Sequence, residues 1–195
     1  MLNSLASILQ GGAGGAATAY ESIATQTVGA GGASTISFSS IPSTYTHLQV
    51  RFIGMSDRAS YIDNFNMRMN SDSGSNYAYH QLYGTGSGVG ADNGTSSTSI
   101  ITTQNIPSNS YESNMFGVGV IDILDYANTN KYKTVRILTG TNTNTSADAG
   151  SNYGRVQLDS GLWQSTSAIN ALSFTLTFGT WQQYSQFALY GIKGS

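Results

Sequence analysis

The feature that most limits how this chain can fold is a period-two alternation of apolar and polar residues. Near the C-terminus Leu172, Phe174, Leu176 and Phe178 alternate with Ser173, Thr175 and Thr177. The same rhythm sets Leu48, Val50 and Phe52 against Gln49 and Arg51, sets Phe65, Met67 and Met69 against Asn66 and Arg68, and returns at Ile36 and Phe38. Successive strand side chains point to opposite faces, so each segment offers one apolar face to a core and one polar face outward. Further strands are expected over 22–28, 77–83, 97–102, 115–124, 134–138, 155–163 and 187–192, ten or eleven in all, and 126–131 reads as a loop or a helical turn. Gly, Ser, Asn and Asp turns separate them, with no helical pattern between, which indicates a sandwich or a barrel rather than an α/β sheet. A chain of 195 residues suits one such domain with a sizeable core.

Composition then narrows the chemistry. There is no Cys, there are two His, and 9% of residues are charged. Catalysis, metal binding and nucleic-acid binding draw on the residue types that are scarce here, so no enzyme and no cofactor is expected. His80 sits in a strand between Tyr79 and Gln81, and His47 begins another, but no Gly-x-Ser-x-Gly elbow supplies a nucleophile between strand and helix. Asp57 and Asp63 flank a loop, and Asp122 and Asp125 lie three apart at the end of a strand. Neither pair has the spacing of a calcium loop, which needs six to eight oxygens, so they read as turn caps and ion-pair partners. The eight basic residues are scattered from Arg51 to Lys193 and the formal net charge is -2, which leaves no footprint for nucleic acid.

Two features point towards partners. Residues 1–10 carry Leu2, Leu5, Ile8 and Leu9 at helical spacing, followed by the glycine-rich stretch 11–17. Ten residues are too few for a stable isolated helix, so the stripe reads as an anchor peptide that docks on another subunit, with the glycines as tether. It lacks the basic start of a signal peptide, and no segment has the ~20 apolar residues of a membrane span, so synthesis in the cytoplasm without secretion or membrane insertion is expected. The second feature is aromatic. Twelve Tyr and two Trp accompany abundant amides and hydroxyls. Tyr77, Tyr79 and Tyr83 on one strand, with Trp181 and Tyr184 in a polar loop, are candidate glycan contacts, although strand Tyr is equally favoured for cross-strand packing. Two turns look alike, Asp72 to Tyr77 and Asp148 to Tyr153, and read as convergent turn chemistry.

The segments Tyr20–Thr25 (YESIAT), Phe38–Tyr45 (FSSIPSTY), Asn70–Tyr77 (NSDSGSNY), Ile123–Thr134 (ILDYANTNKYKT), Ser160–Trp163 (SGLW) and Phe187–Lys193 (FALYGIK), in this order, resemble a family of small virion structural proteins of tailed bacteriophages, aquatic and cyanobacterial phages among them. The resemblance spans residues 20 to 194, leaves 1–19 outside, and brings no catalytic residue. With the strand pattern, the fold expected is an antiparallel β-sandwich of jelly-roll type over 20–195, behind an N-terminal anchor and tether over 1–19. The expected role is a homotrimeric decoration or short appendage on the exterior surface of the capsid, docked on other virion proteins through residues 1–10. The chain has no coiled-coil or β-helical shaft to carry it outward. The alternative is a tail-fibre or receptor-binding module that grips host surface glycans.

Overall fold

The computed structural model describes residues 19–85, 87–110, 112–142 and 154–194. Among them are twelve strands and no helix: β1 (Tyr20–Thr27), β2 (Thr35–Phe38), β3 (His47–Gly54), β4 (Ile62–Met69), β5 (Tyr77–Gly84), β6 (Val89–Ser97), β7 (Ile100–Pro107), β8 (Gly117–Ile123), β9 (Lys133–Thr141), β10 (Arg155–Trp163), β11 (Leu172–Leu176) and β12 (Gln186–Ile192). All pairings are antiparallel, in an eight-stranded sheet ordered β1-β12-β3-β8-β9-β10-β5-β6 and a four-stranded sheet ordered β2-β11-β4-β7.

The pairings are nested. β1 pairs with β12, β2 with β11, β3 with β8 and β4 with β7. The chain is therefore one long antiparallel hairpin, rolled so that β12 also meets β3 and β11 also meets β4. That is the jelly roll, two sheets face to face with the chain crossing between them. Two hairpin insertions, β5–β6 after β4 and β9–β10 after β8, extend the larger sheet beyond β8.

Between the sheets the core is apolar and aromatic. Phe65 and Phe174 stack at 5.7 Å and Phe52 and Phe187 at 5.0 Å, with Trp181 edge-on to Phe187. Gly54 and Gly119 make room for these rings. A Cβ on Gly54 would lie 2.7 Å from the Trp181 ring, and one on Gly119 would lie 2.3 Å from Phe52.

Two strand expectations need correction. β6 was not anticipated: its sequence, Val89–Ser97, is mostly exposed and carries no apolar alternation. The alternation through Phe178 also stops early, because β11 ends at Leu176 and Phe178 is exposed beneath Arg58, whose guanidinium lies 3.9 Å from the ring centre. Asp63 is the cause. Its buried carboxylate accepts the amides of Phe178 and Gly179, and the chain turns there. The segment 126–131 is a turn and loop, held by Lys133, whose buried ammonium donates to the carbonyls of Asn128 (2.6 Å), Lys131 (2.9 Å) and Thr166 (3.2 Å).

Candidate functional site

Towards one end, the inserted strands β5, β9 and β10 reverse the usual polarity of a sheet. Across β12, β3 and β8 the inward residues are apolar: Leu189, Val50 and Ile121 form one row, Phe187 and Phe52 another. Continued onto β9, β10 and β5, these rows turn polar. Ile137 is followed by Asp159 and Gln81, and Thr139 by Gln157 and the ring of Tyr83. Arg155 and Thr141 pair in the next row. These polar residues, Tyr83 aside, are buried. β7, at the margin of the smaller sheet, packs over them and brings buried Thr102 and Asn105.

The buried layer is electrostatically tense. Gln157 Nε2 donates to Asp159 Oδ1 at 2.5 Å, and the Arg155 guanidinium lies 3.5 Å from the centre of the Tyr83 ring. Burial pushes the Asp159 carboxyl up to about 7, against the hydrogen bond from Gln157 and the charge of Arg155.

The outer face of the same strands carries what the inner face lacks. One row across the sheet reads Leu82, Leu158, Leu138, Val120, and the next reads Val89, Gly84, Val156, Gly140, Val118, Ile53. Leu82 is 60% exposed, Val156 64%, Val118 53% and Leu138 52%. Scattered exposed apolar residues are ordinary, but a contiguous patch marks an interaction site. Beside these rows runs a polar one, His80, Ser160, Arg136, Asp122, Gln49. Arg136 Nη2 reaches Asp122 Oδ2 at 2.7 Å and Gln49 donates to Oδ1 at 2.8 Å. Partial burial raises the Asp122 pKa, but these two hydrogen bonds outweigh it and hold the carboxyl below its ordinary value. A groove of about 400 Å³ follows this row, walled by Leu82, Leu158 and Leu124.

The candidate glycan platform is not assembled. Tyr77 is fully buried, stacked on Trp163, with its hydroxyl held among the backbone groups of Met69 and Asp72; burial pushes its pKa to about 12. Tyr79 is buried and Tyr83 half-buried, each lying across a glycine of β6: a Cβ on Gly94 or Gly90 would come within 2.4 Å of the respective side chain. Trp181 is 0% exposed and its Nε1 donates to the carbonyl of Phe174 at 3.1 Å. Tyr184 alone is exposed, in a turn at φ 72°. The tyrosines on β5 share one face, as their spacing implied, but that face looks inward. The glycines opposite them were the available signal, since a ring laid across a bare strand covers it.

Elsewhere the carboxylates cap and pair. Asp57 accepts the Thr180 amide at 2.6 Å and its hydroxyl at 2.7 Å, Asp72 accepts Trp163 Nε1 at 2.7 Å, and Asp125 pairs with Lys131. His47 Nδ1 accepts the Asp125 amide at 3.0 Å. His80 faces Ser160 across the strand pair, but Asp122 stands three strands away and is already bound to Arg136. No group of three or more His, Cys, Asp or Glu suited to a metal occurs among the described residues. The anchor candidates Leu2, Leu5, Ile8 and Leu9 and the turn Asp148 to Tyr153 lie outside the described residues. No protein-family model, curated protein or solved structure matches the chain.

Proposed function

We propose that this chain is a structural component of the exterior surface of a tailed-phage virion, a capsid decoration or short appendage that works as a homo-oligomer and is docked through residues 1–10. One observation carries the assembly part of this reading: the outward apolar rows on β5, β10, β9 and β8. A sheet that buries Asp159, Gln157 and Arg155 while exposing Leu82, Leu138, Leu158 and Val156 has its outer face in the condition of a surface awaiting cover. The resemblance of segments 20 to 194 to virion proteins supplies the particle, and the uncharged Leu2/Leu5/Ile8/Leu9 stripe supplies a means of attachment. The low charge suits such a role, because desolvating a hydroxyl costs less than desolvating a charge, and many weak copies gain retention through multivalency. A glycan-gripping fibre tip finds less support, with four of its five aromatic candidates turned into the core or half covered.

Deleting residues 1–19 tests the reading. The truncated chain is expected to keep its β-rich circular dichroism and to be missing from purified particles. Truncated chain recovered in particles at the parental level would overturn the docking role, and full-length chain missing from particles would overturn the virion role.

A further inference from the structure

We propose that the outer face of β8, β9, β10 and β5 seats a second copy of this chain, in a reciprocal contact centred between β9 and β10. This rests on the reading above, that the chain works assembled, and adds the partner and its geometry.

The row Val89, Gly84, Val156, Gly140, Val118 alternates side chains with gaps across successive strands. Neither Gly84 nor Gly140 has a positive φ, and a Cβ on either would meet nothing nearer than 4.0 Å. Packing within the chain therefore does not demand glycine at these positions. Glycine inside a strand weakens it and often marks a place where another backbone approaches. With strands ~4.8 Å apart, the projecting valines recur every ~9.6 Å, and the gaps fall midway between them.

Such a row complements itself. A second copy, turned by a half rotation about an axis parallel to the strands and midway between β9 and β10, lays its β10 over this β9 and its β5 over this β8. Val156 then meets the second copy's Gly140, and Val118 meets its Gly84, each contact being made twice. In the next row Leu158 meets Leu138 and Leu82 meets Val120. In the polar row His80 comes over the carboxylate of Asp122 and Ser160 over Arg136. All three rows match under one operation. The charges permit it as well, because Arg136 and Asp122 neutralise each other within each copy and no like charges are forced together. Four strands by about seven residues give a footprint on the order of 450 Å², the size of a small reversible contact beside the ~800 Å² per partner of a standard interface. A contact of this symmetry makes pairs, where the sequence alone suggested threes.

The test swaps knob for gap. Light scattering on the full-length chain is expected to give a dimer. Gly140→Val, which adds a side chain into open space, should leave the thermal midpoint unchanged at concentrations too low for association and weaken the dimer roughly a hundredfold, since the added bulk clashes at both reciprocal contacts. Adding Val156→Gly, so that knob and gap change places, should restore the dimer. A monomeric or trimeric parent would overturn the proposal, as would a dimer indifferent to Gly140→Val or one that the double variant fails to restore. A monomer that binds neutral phosphatidylcholine vesicles through this face would also overturn it and assign the face to lipid. Particle incorporation is scored separately: a dimer missing from particles leaves this contact standing while the virion reading falls, and a monomer found in particles does the reverse.

Discussion

At the scale of single residues, the buried charges are each held differently. Lys133 gives its ammonium to three carbonyls, and Asp63 gives its carboxylate to two loop amides and the Ser56 hydroxyl. Burial works against the charged form of Lys133, Arg155 and Asp159 alike, and it raises the Asp159 carboxyl from 3.8 to about 7. A carboxyl whose pKa is higher folded than unfolded binds its proton more tightly in the native state. Its contribution is fully present below about pH 4 and is lost as pH rises to about 7. At 1.36 kcal/mol per pH unit, that interval is worth roughly 4 kcal/mol. Asp72 and Asp122, whose pKa values are lowered, act in the opposite sense and lose their contribution only as pH falls below the ordinary carboxylate range. Asp159→Asn should therefore flatten the dependence of urea stability on pH between about 4 and 7 and should be at least as stable as the parent at pH 8. An unchanged slope would show that this carboxyl is not the group responsible.

At the scale of elements, alternation announced the strands but not which side of each faces inward. In β10, Val156 and Leu158 alternate with Gln157 and Asp159, and by hydrophobicity alone the first pair should be buried. The reverse holds, because Trp163 and Gly161 share the parity of Asp159 and take the core: a Cβ on Gly161 would lie 2.6 Å from Ile100. In β5 likewise, spacing put Tyr77, Tyr79 and Tyr83 on one face without saying that this face is the inner one. For β2, β3, β4 and β12, which the two sheets enclose directly, the apolar side and the inner side coincide, so their core residues were legible from the start. β6 was not legible, since an edge strand covered by its neighbour's tyrosines needs no apolar pattern of its own. Adjacent residues of β9 test the inversion. Ile137→Ser, on the inner face, should cost about 2–4 kcal/mol, and Leu138→Ser, on the outer face, within about 0.5 kcal/mol. Both are measured by urea unfolding at concentrations too low for self-association, and equal costs would contradict the assigned faces.

At the scale of the molecule, the nested pairing of β1–β4 with β12, β11, β8 and β7 closes one core, and both insertions enlarge the same sheet on the same side. The jelly roll supplies the phenylalanine and Trp181 part of the interior, and the inserted strands add Tyr77, Tyr79 and Trp163. The added strands β5, β9 and β10 join that core at one end through Tyr77, Val135 and Trp163, bury a polar layer towards the other, and give the molecule a broad, nearly neutral apolar face. Copy number bears most directly on the virion role, and quantitative mass spectrometry of purified phage particles that carry this chain would give it against the major capsid protein. Hundreds of copies per particle are expected for a shell decoration, and complete absence from the particles would contradict the role proposed for the chain.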